Sequence, residues 1–332
     1  MRTAWACDNR EAARRLVDLT TVAVLLDAGA GDTWVFTEEG TGFCVGRSEG
    51  LGIASLHMFQ SGGFSSDVCS PHRADSVGLK GMKDDAVSAA FQASEANPLV
   101  GCEGRAQVLK RLGSSLEEHP SYFERGGIFR PGNLVDYMFS KADGDGCVSI
   151  KVLWEVIMYG YASLWPAGRT VVEGCSMGDT WRHQALPDDG SGWSQLIPFH
   201  KLSQWMTYSL MEPLQEAGIT LTGTAIMTGL PEYRNGGLLV DMGVLEPKHE
   251  KVLGKAHHPH DEVIVEWRAL TVCLLDEVYA KLKEKLRLTE AEFPLVKCLE
   301  AGTWKAGRVV ARLRDPVYGA PPIQILSDGT VF

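Results

Sequence analysis

Three short segments carry side chains whose types and spacing allow chemistry. In Phe199-His200-Lys201-Leu202-Ser203-Gln204-Trp205, helical spacing puts Lys201, Gln204 and Tyr208 on one face, while Phe199, Leu202, Trp205 and Met206 supply apolar anchoring. On spacing alone a solvated face fits equally well. In Leu230-Pro231-Glu232-Tyr233-Arg234-Asn235-Gly236-Gly237, an acid, an aromatic, a base and an amide crowd into a loop bracketed by proline and paired glycine. Loops this chemically dense bind more often than they merely connect. Glu266-Trp267-Arg268 lies in the most strongly amphipathic stretch, with Glu266 bordering its apolar stripe, where a desolvated carboxylate needs a partner. The plainer account is a structural ion pair with an Arg or Lys. Asp27 is a fourth candidate, because it continues the apolar stripe of the first helix at the negative end of the helix dipole, an uncomfortable place for an acid.

Other motifs carry less. Asp27-Ala28-Gly29-Ala30-Gly31 faintly resembles a phosphate loop, but it ends a helix and lacks the following Gly-Lys-Ser/Thr. Asp143-Gly144-Asp145-Gly146 imitates part of a calcium loop, yet that alignment puts Lys141 first and Val152 twelfth, where carboxylates are needed, so a turn is expected. His257-His258-Pro259-His260-Asp261 reads as a solvated loop before a helix, since the proline breaks helical spacing and no distant Cys or His partner is indicated. Neither a metal nor a cofactor is called for.

The elements that must position these residues are mostly helical. Residues 9 to 27 read as a core helix, with Asn9 as N-cap and Ala13, Leu16, Val17, Thr20, Ala23 and Val24 at helical spacing. Further helices are expected from Ser48 to Phe59, from about Asp84 to Ser94, from Leu99 to Leu116 and from Lys151 to Trp165. Pro120 to Gly146 reads as a surface excursion and Gly178 to Gly192 as a polar loop. Pro198 is expected to start a helix and Pro213 to kink or restart it. Residues 261 to 286 give the clearest pattern, with Val263, Ile264, Trp267, Leu270, Thr271, Leu274, Leu275, Val278 and Leu282 on one face. Strand-like alternation is confined to short pieces such as Val35 to Val45 and Ile323 to Leu326. With no internal repeat and no long linker, the expectation is a single, mostly α domain over residues 1–332.

A chain of 332 residues with 45% hydrophobic and 22% charged residues has the composition of a globular protein with a sizeable core, which excludes disordered and disulfide-stapled classes. Its net charge of −10 disfavours a broad grip on nucleic acid. Eight cysteines without a Cys-x-x-Cys pair read as reduced thiols in a cytoplasmic protein. No stretch approaches a spanning helix, so no membrane partner is expected. The number of copies in an assembly is not legible.

At these residues the chain resembles the uracil-catabolism protein family of the urea-releasing pyrimidine degradation pathway of fungi and bacteria. The resemblance rests on Val24 to Gly31, Gly46 to Leu51, Asn97 to Gly101, Pro198 to Gln204, Leu230 to Gly237, Glu266 to Leu270 and the terminal Ser327 to Phe332, and runs essentially end to end. Members are expected to carry a further amino-terminal segment, so a truncated or alternatively started form is an expectation here. A more distant similarity links the chain to the queuosine-5′-phosphate N-glycosidases, helical proteins resembling DNA glycosylases. It matches Asp27 with Trp34 and Phe36, Pro98-Leu99-Val100, His200-Lys201 through Gln204, Glu232-Tyr233-Arg234 and Glu266 through Arg268. The chain departs from those enzymes in Glu232 for their Asp, His200 for their Tyr, and Asn235-Gly236-Gly237 for their Leu-Pro-Gln.

The two resemblances together imply a helical N-glycosidase acting on a ribosyl urea, free or 5′-phosphorylated. They imply that Glu232 stabilises the oxocarbenium-like state and directs water, and that Lys201 keeps Glu232 ionised or meets a sugar hydroxyl or phosphate. Asp27, Trp34 and Tyr233 are implied for the ureido group, Arg234 and Arg268 for phosphate or carboxylate pairing, and His200, Gln204 and Glu266 as further binding residues. A non-catalytic metabolite-binding scaffold and a metal-dependent ureido hydrolase are the competing classes.

Overall fold

Asp8 opens the first helix. Its carboxylate accepts the Glu11 N–H at 2.7 Å, so α1 (Asn9–Leu26) is capped one residue ahead of the expected Asn9. The computed structural model describes residues 5, 7–31, 33–83, 85–317 and 319–326; these are mostly helical, and every sheet among them has two short strands. After α1 come α2 (Arg47–Gln60), α3 (Cys102–Glu118), α4 (Leu134–Lys141), α5 (Ile150–Gly160), α6 (Lys201–Glu216), α7 (Tyr233–Asp241), α8 (Glu262–Leu286) and α9 (Lys305–Arg314). The chain divides into two compact units, neither contiguous: one takes the described residues up to Pro166 with Trp205–Thr224, the other takes Ala167–Gln204 and Ala225 onward. The passage from Gln204 to Trp205 falls inside α6, where no linker composition marks it.

In the first unit α1 is buried on more than its predicted stripe, and the buried set includes Asp18. That carboxylate accepts from Gly132 N at 2.6 Å, Ala74 N at 3.1 Å and Arg130 Nε at 2.8 Å. These bonds draw in the stretch expected to be a surface excursion. Phe123, Arg130, Asn133, Leu134, Val135 and Met138 are buried there, and a Cβ on Gly132 would lie 2.4 Å from the Arg14 carbonyl oxygen. A composition rich in Gly and Pro suggests solvent, but here it lets N–H groups approach a buried acid.

Asp27 closes α1, and the discomfort expected of it is met by Arg105 of α3. The buried Arg105 guanidinium donates to the carbonyls of Leu26 at 2.9 Å, Ala28 at 2.8 Å and Gly29 at 3.3 Å, and also to Val100 O. A cation thus sits at the negative end of α1, close enough for Asp27 to act on its charge. The following strand Val35–Thr37 pairs antiparallel with Cys44–Gly46. Side-chain amides serve as a further partner: Asn97 bonds both Val35 N and Val35 O, and Gln92 bonds both Thr37 N and Thr37 O, at 2.8 to 3.0 Å. The helix expected from Asp84 to Ser94 is shorter, Ala86–Ala90, because the residues after it supply these amides; Asp84 lies outside the described residues, as does the terminal motif Ser327 to Phe332. Asp143-Gly144-Asp145-Gly146 forms the expected turn, with Asp143 Oδ1 accepting from Asp145 N and Cys147 N.

In the second unit the polar loop expected from Gly178 to Gly192 instead contains a strand, Thr180–Arg182, paired antiparallel with Leu196–Pro198. Asp179, Thr180 and Trp181 are buried. Three residues are too few for alternation to declare itself in the sequence. Pro198 ends that strand rather than starting a helix; α6 begins at Lys201 and runs through Pro213 without interruption. The helix expected over 261 to 286 is α8, and Ile264, Trp267, Thr271 and Leu275 of the expected stripe are buried; the buried face extends further to Val265 and Arg268, while Leu270 is exposed. Ile264 and Trp267 pack with Val252 and Ile323, and Tyr233, Val240 and Ile325 lie against that cluster. Strand Ala256–His257 pairs parallel with Gln324–Ile325, so His257 is buried rather than part of a solvated loop.

Candidate active site

Asp179 organises the second unit. Its Oδ1 accepts from Arg268 Nη1 at 2.7 Å and Trp181 Nε1 at 2.8 Å, and its Oδ2 from Arg268 Nη2 at 2.7 Å and Lys201 N at 3.0 Å. Its main-chain oxygen accepts from Phe199 N at 2.9 Å and His200 N at 3.1 Å. Burial alone would raise the carboxyl pKa, but the charge and bonds of Arg268, with the Lys201 and Trp181 N–H groups, outweigh it and hold the group well below the ordinary carboxylate range.

This arrangement builds the first turn of α6. His200 takes a positive φ of 47°, which turns the chain out of the strand, and Asp179 caps the helix by accepting the Lys201 N–H. Burial, reinforced by Arg268 and opposed by Asp179, lowers the His200 imidazole pKa and favours the neutral ring. Gln204 continues the turn: its Nε2 donates to Thr228 Oγ1 at 2.5 Å and its Oε1 accepts Thr228 N at 3.3 Å. Gln204 therefore ties α6 to the loop that leads to Glu232.

Arg268 reaches that loop from α8, donating Nε to Pro231 O at 3.1 Å while its guanidinium lies 4.2 Å from the Phe199 ring centre. Next in the chain, Glu232 is the N-cap of α7. Its Oε1 accepts Asn235 N at 2.7 Å, and its main-chain oxygen accepts Gly236 N at 3.0 Å. The side chain is buried, and burial pushes its pKa up; Lys201 is the strongest opposing influence, ahead of the Arg234 and Asn235 N–H groups. Lys201 thus acts on Glu232 in the direction of ionisation, and burial outweighs it.

The other candidates fall elsewhere. Arg268 has the carboxylate partner implied for it, and that partner is Asp179 rather than a ligand. Arg234 donates to Gly319 O at 2.6 Å and lies 4.9 Å from the Tyr233 ring centre, while Tyr233 packs on the Val252–Trp267 cluster. Glu266 is a correction: it lies on the exposed side of α8 and does not border the buried face, because the face extends toward Val265 and Arg268. Asp27 and Trp34 belong to the first unit. Trp34 is 1% exposed with its indole N–H on Phe91 O at 2.9 Å, a core position rather than an open aromatic wall. Asp179 is the residue of this candidate site that sequence reasoning missed. No local signal marked it: its partner Arg268 lies 89 residues away and stands outside the stripe expected for α8. Among the described residues, no group of three or more His, Cys, Asp or Glu is placed to hold a metal ion, and no helix is long and apolar enough to cross a membrane.

A family model described as "Protein of unknown function (DUF1688)" matches residues 1–332. Uracil catabolism protein 4 of Lachancea kluyveri is 40% identical over 351 residues, covering 98% of this chain and 78% of the relative. Protein urg3 of Schizosaccharomyces pombe is 40% identical over 327 residues, covering 98% of this chain and 77% of the relative. Likeness of this extent, over nearly the whole chain, shows that the chain belongs to the DUF1688 family, together with uracil catabolism protein 4 and protein urg3.

Proposed function

We propose that this protein acts in uracil catabolism as an N-glycosidase, hydrolysing the bond between ribose and urea in a ribosyl urea, free or 5′-phosphorylated. The name of the relative, uracil catabolism protein 4, supports the pathway. The observation that carries the chemistry is Glu232: a buried carboxylate at a helix N-terminus, with Lys201 the leading charge acting on it.

In the proposed reaction the C1′–N bond breaks with its electron pair passing to nitrogen, and a water oxygen bonds to C1′. The two protons of that water end on the new anomeric hydroxyl and on the released urea. Glu232 stabilises the positive charge that develops at C1′ and orients the water. That charge is felt most strongly in the transition state, so the carboxylate lowers the barrier more than it tightens binding. Lys201 meets a sugar hydroxyl or the phosphate and favours the ionised form of Glu232. Asp179 and Arg268 act as positioning residues, because one carboxylate–guanidinium pair fixes both the Lys201 turn and the Pro231 carbonyl.

The test is direct. Chelator-treated protein is incubated with ribosyl urea and with its 5′-phosphate, and urea and reducing sugar are followed. Equal release of both products supports the reading. Binding without release would point to a metabolite-binding scaffold, and activity restored by an added metal would point to a metal-dependent ureido hydrolase.

A further inference from the structure

Asn235 holds an unexplained acceptor beside Glu232. Its side chain is 1% exposed, and its Nδ2 donates to Leu230 O at 3.1 Å. A carbonyl oxygen can only accept, so that bond fixes which end of the amide is nitrogen and leaves Oδ1 as the other end. Oδ1 is buried and has no hydrogen-bond partner among the described residues. Such a group is uncommon and costs free energy unless something donates to it.

The residue cannot easily relax to find a donor. Its own N–H is held by Glu232 Oε1 at 2.7 Å, and the next carbonyl, Gly236 O, accepts from Trp267 Nε1 at 3.1 Å. A Cβ on Gly236 would lie 2.7 Å from both the Trp267 ring and Thr271 Oγ1, so the backbone here has no slack. The amide also lies on the N-terminal side of α7: Nδ2 reaches back to Leu230, and Oδ1 shares its carboxamide plane. Glu232 and the orphaned oxygen therefore belong to the same end of the same helix.

We propose that Asn235 Oδ1 is a specificity-determining acceptor, taking a hydrogen bond from the terminal NH2 of the leaving ureido group, and that it selects ureido leaving groups over those without that donor. Urea is rich in N–H donors and has a single carbonyl acceptor, which is the complement of a buried oxygen that lacks a donor. This inference rests on the glycosidase reading above. It adds a reason why an amide follows the arginine in this chain.

Two substrates that differ only in the leaving group separate the two claims. Ribosyl urea offers N–H donors; p-nitrophenyl β-ribofuranoside offers none. In full-length protein whose fold is checked by circular dichroism, Asn235→Leu is expected to lower kcat/KM for ribosyl urea about tenfold to a hundredfold. The ratio of kcat/KM for ribosyl urea to that for the nitrophenyl riboside should fall by the same factor. Equal losses on both substrates, or none on either, overturn the proposal while leaving the glycosidase reading intact. If wild type cleaves neither substrate, both fall together. Because Asn235→Leu can fail to fold, wild type is also assayed on the N′,N′-dimethyl analogue of ribosyl urea. A loss of about tenfold or more relative to ribosyl urea supports the proposal, and equal turnover overturns it.

Discussion

Asp179 and Glu232 are both buried carboxylates of the same unit, and both cap a helix, yet their surroundings push them in opposite directions. Asp179 takes the Lys201 N–H at the start of α6, and Glu232 takes the Asn235 N–H at the start of α7. Burial raises the pKa of each. For Asp179 the guanidinium of Arg268 is in bidentate contact, and the carboxyl ends far below its ordinary range; for Glu232 capping N–H groups and the charge of Lys201 do not offset burial, and the carboxyl ends above it. Capping donors alone are insufficient, and a contacting cation decides the sign. Asp179, with two donors on each oxygen, is chemically quiet and suited to holding structure. Glu232 is less fully satisfied and closer to changing protonation state, which is what acid–base work requires.

The largest effect is expected where the pairing is strongest. Asp179→Asn leaves Arg268 buried without its counter-charge and should destabilise the protein by about 3–5 kcal/mol, read as a lowered denaturation midpoint. The pH dependence follows from the lowered pKa. The pair contributes stability above the ordinary carboxylate pKa of about 3.9, and that contribution is lost as pH falls from there toward the native value. Stability of the variant should therefore fall less steeply on acidification than that of wild type. An Asp179→Asn protein as stable as wild type, with the same acid slope, would break the comparison at its structural side.

Glu232→Gln tests the other side. Gln keeps the volume and can still accept the Asn235 N–H, so the helix cap survives, but the charge that meets the oxocarbenium-like state is gone. Turnover of ribosyl urea should fall about a hundredfold to a thousandfold, with thermal stability held near wild type. Near-normal turnover would place the catalytic acid elsewhere.

Legibility in the sequence followed the same division. α1 and α8 declared themselves by periodicity because each offers many turns over which an apolar stripe repeats. The extension of the α8 buried face to Arg268 did not, since Arg268 is buried through a partner 89 residues away that no local pattern reveals. Asp179 was hidden for the same reason, beside a strand of three residues. Pro120 to Gly146 was misread because its Gly and Pro serve a buried Asp18 rather than solvent. The dense loop at Glu232 was legible as a binding candidate, but the association of Glu232 with Lys201 came from family resemblance; helical spacing cannot bring residues of two separate helices together.

A smaller change sharpens the electrostatic argument. Lys201→Met removes the strongest influence that lowers the pKa of Glu232. Activity that needs ionised Glu232 is lost as pH falls through that pKa, so the acid limb of the kcat profile should move to higher pH in the variant. A strong rise in KM for the 5′-phosphate alone would add a direct phosphate contact to that role. An acid limb that stays where it was would mean that Lys201 does not tune Glu232.

The smallest effect is expected at Glu266, a carboxylate of the same unit that differs from the other two in being exposed. Exposed carboxylates lose little hydration on folding, so neither a guanidinium contact nor a cap is required to offset a desolvation cost. It stands next to Trp267 and two residues before Arg268, both buried, yet its position on the helix turns it from the face that holds them. Glu266→Ala should therefore change stability by no more than about 0.5 kcal/mol and leave kcat/KM for ribosyl urea at the wild-type value. Ala also has the higher helix propensity, which biases any small residual effect toward stabilisation. The measurement is a thermal denaturation paired with a full kinetic profile. A tenfold loss of activity with unchanged stability would show that burial is a poor guide to which carboxylate of this unit does chemistry, and would return Glu266 to the substrate.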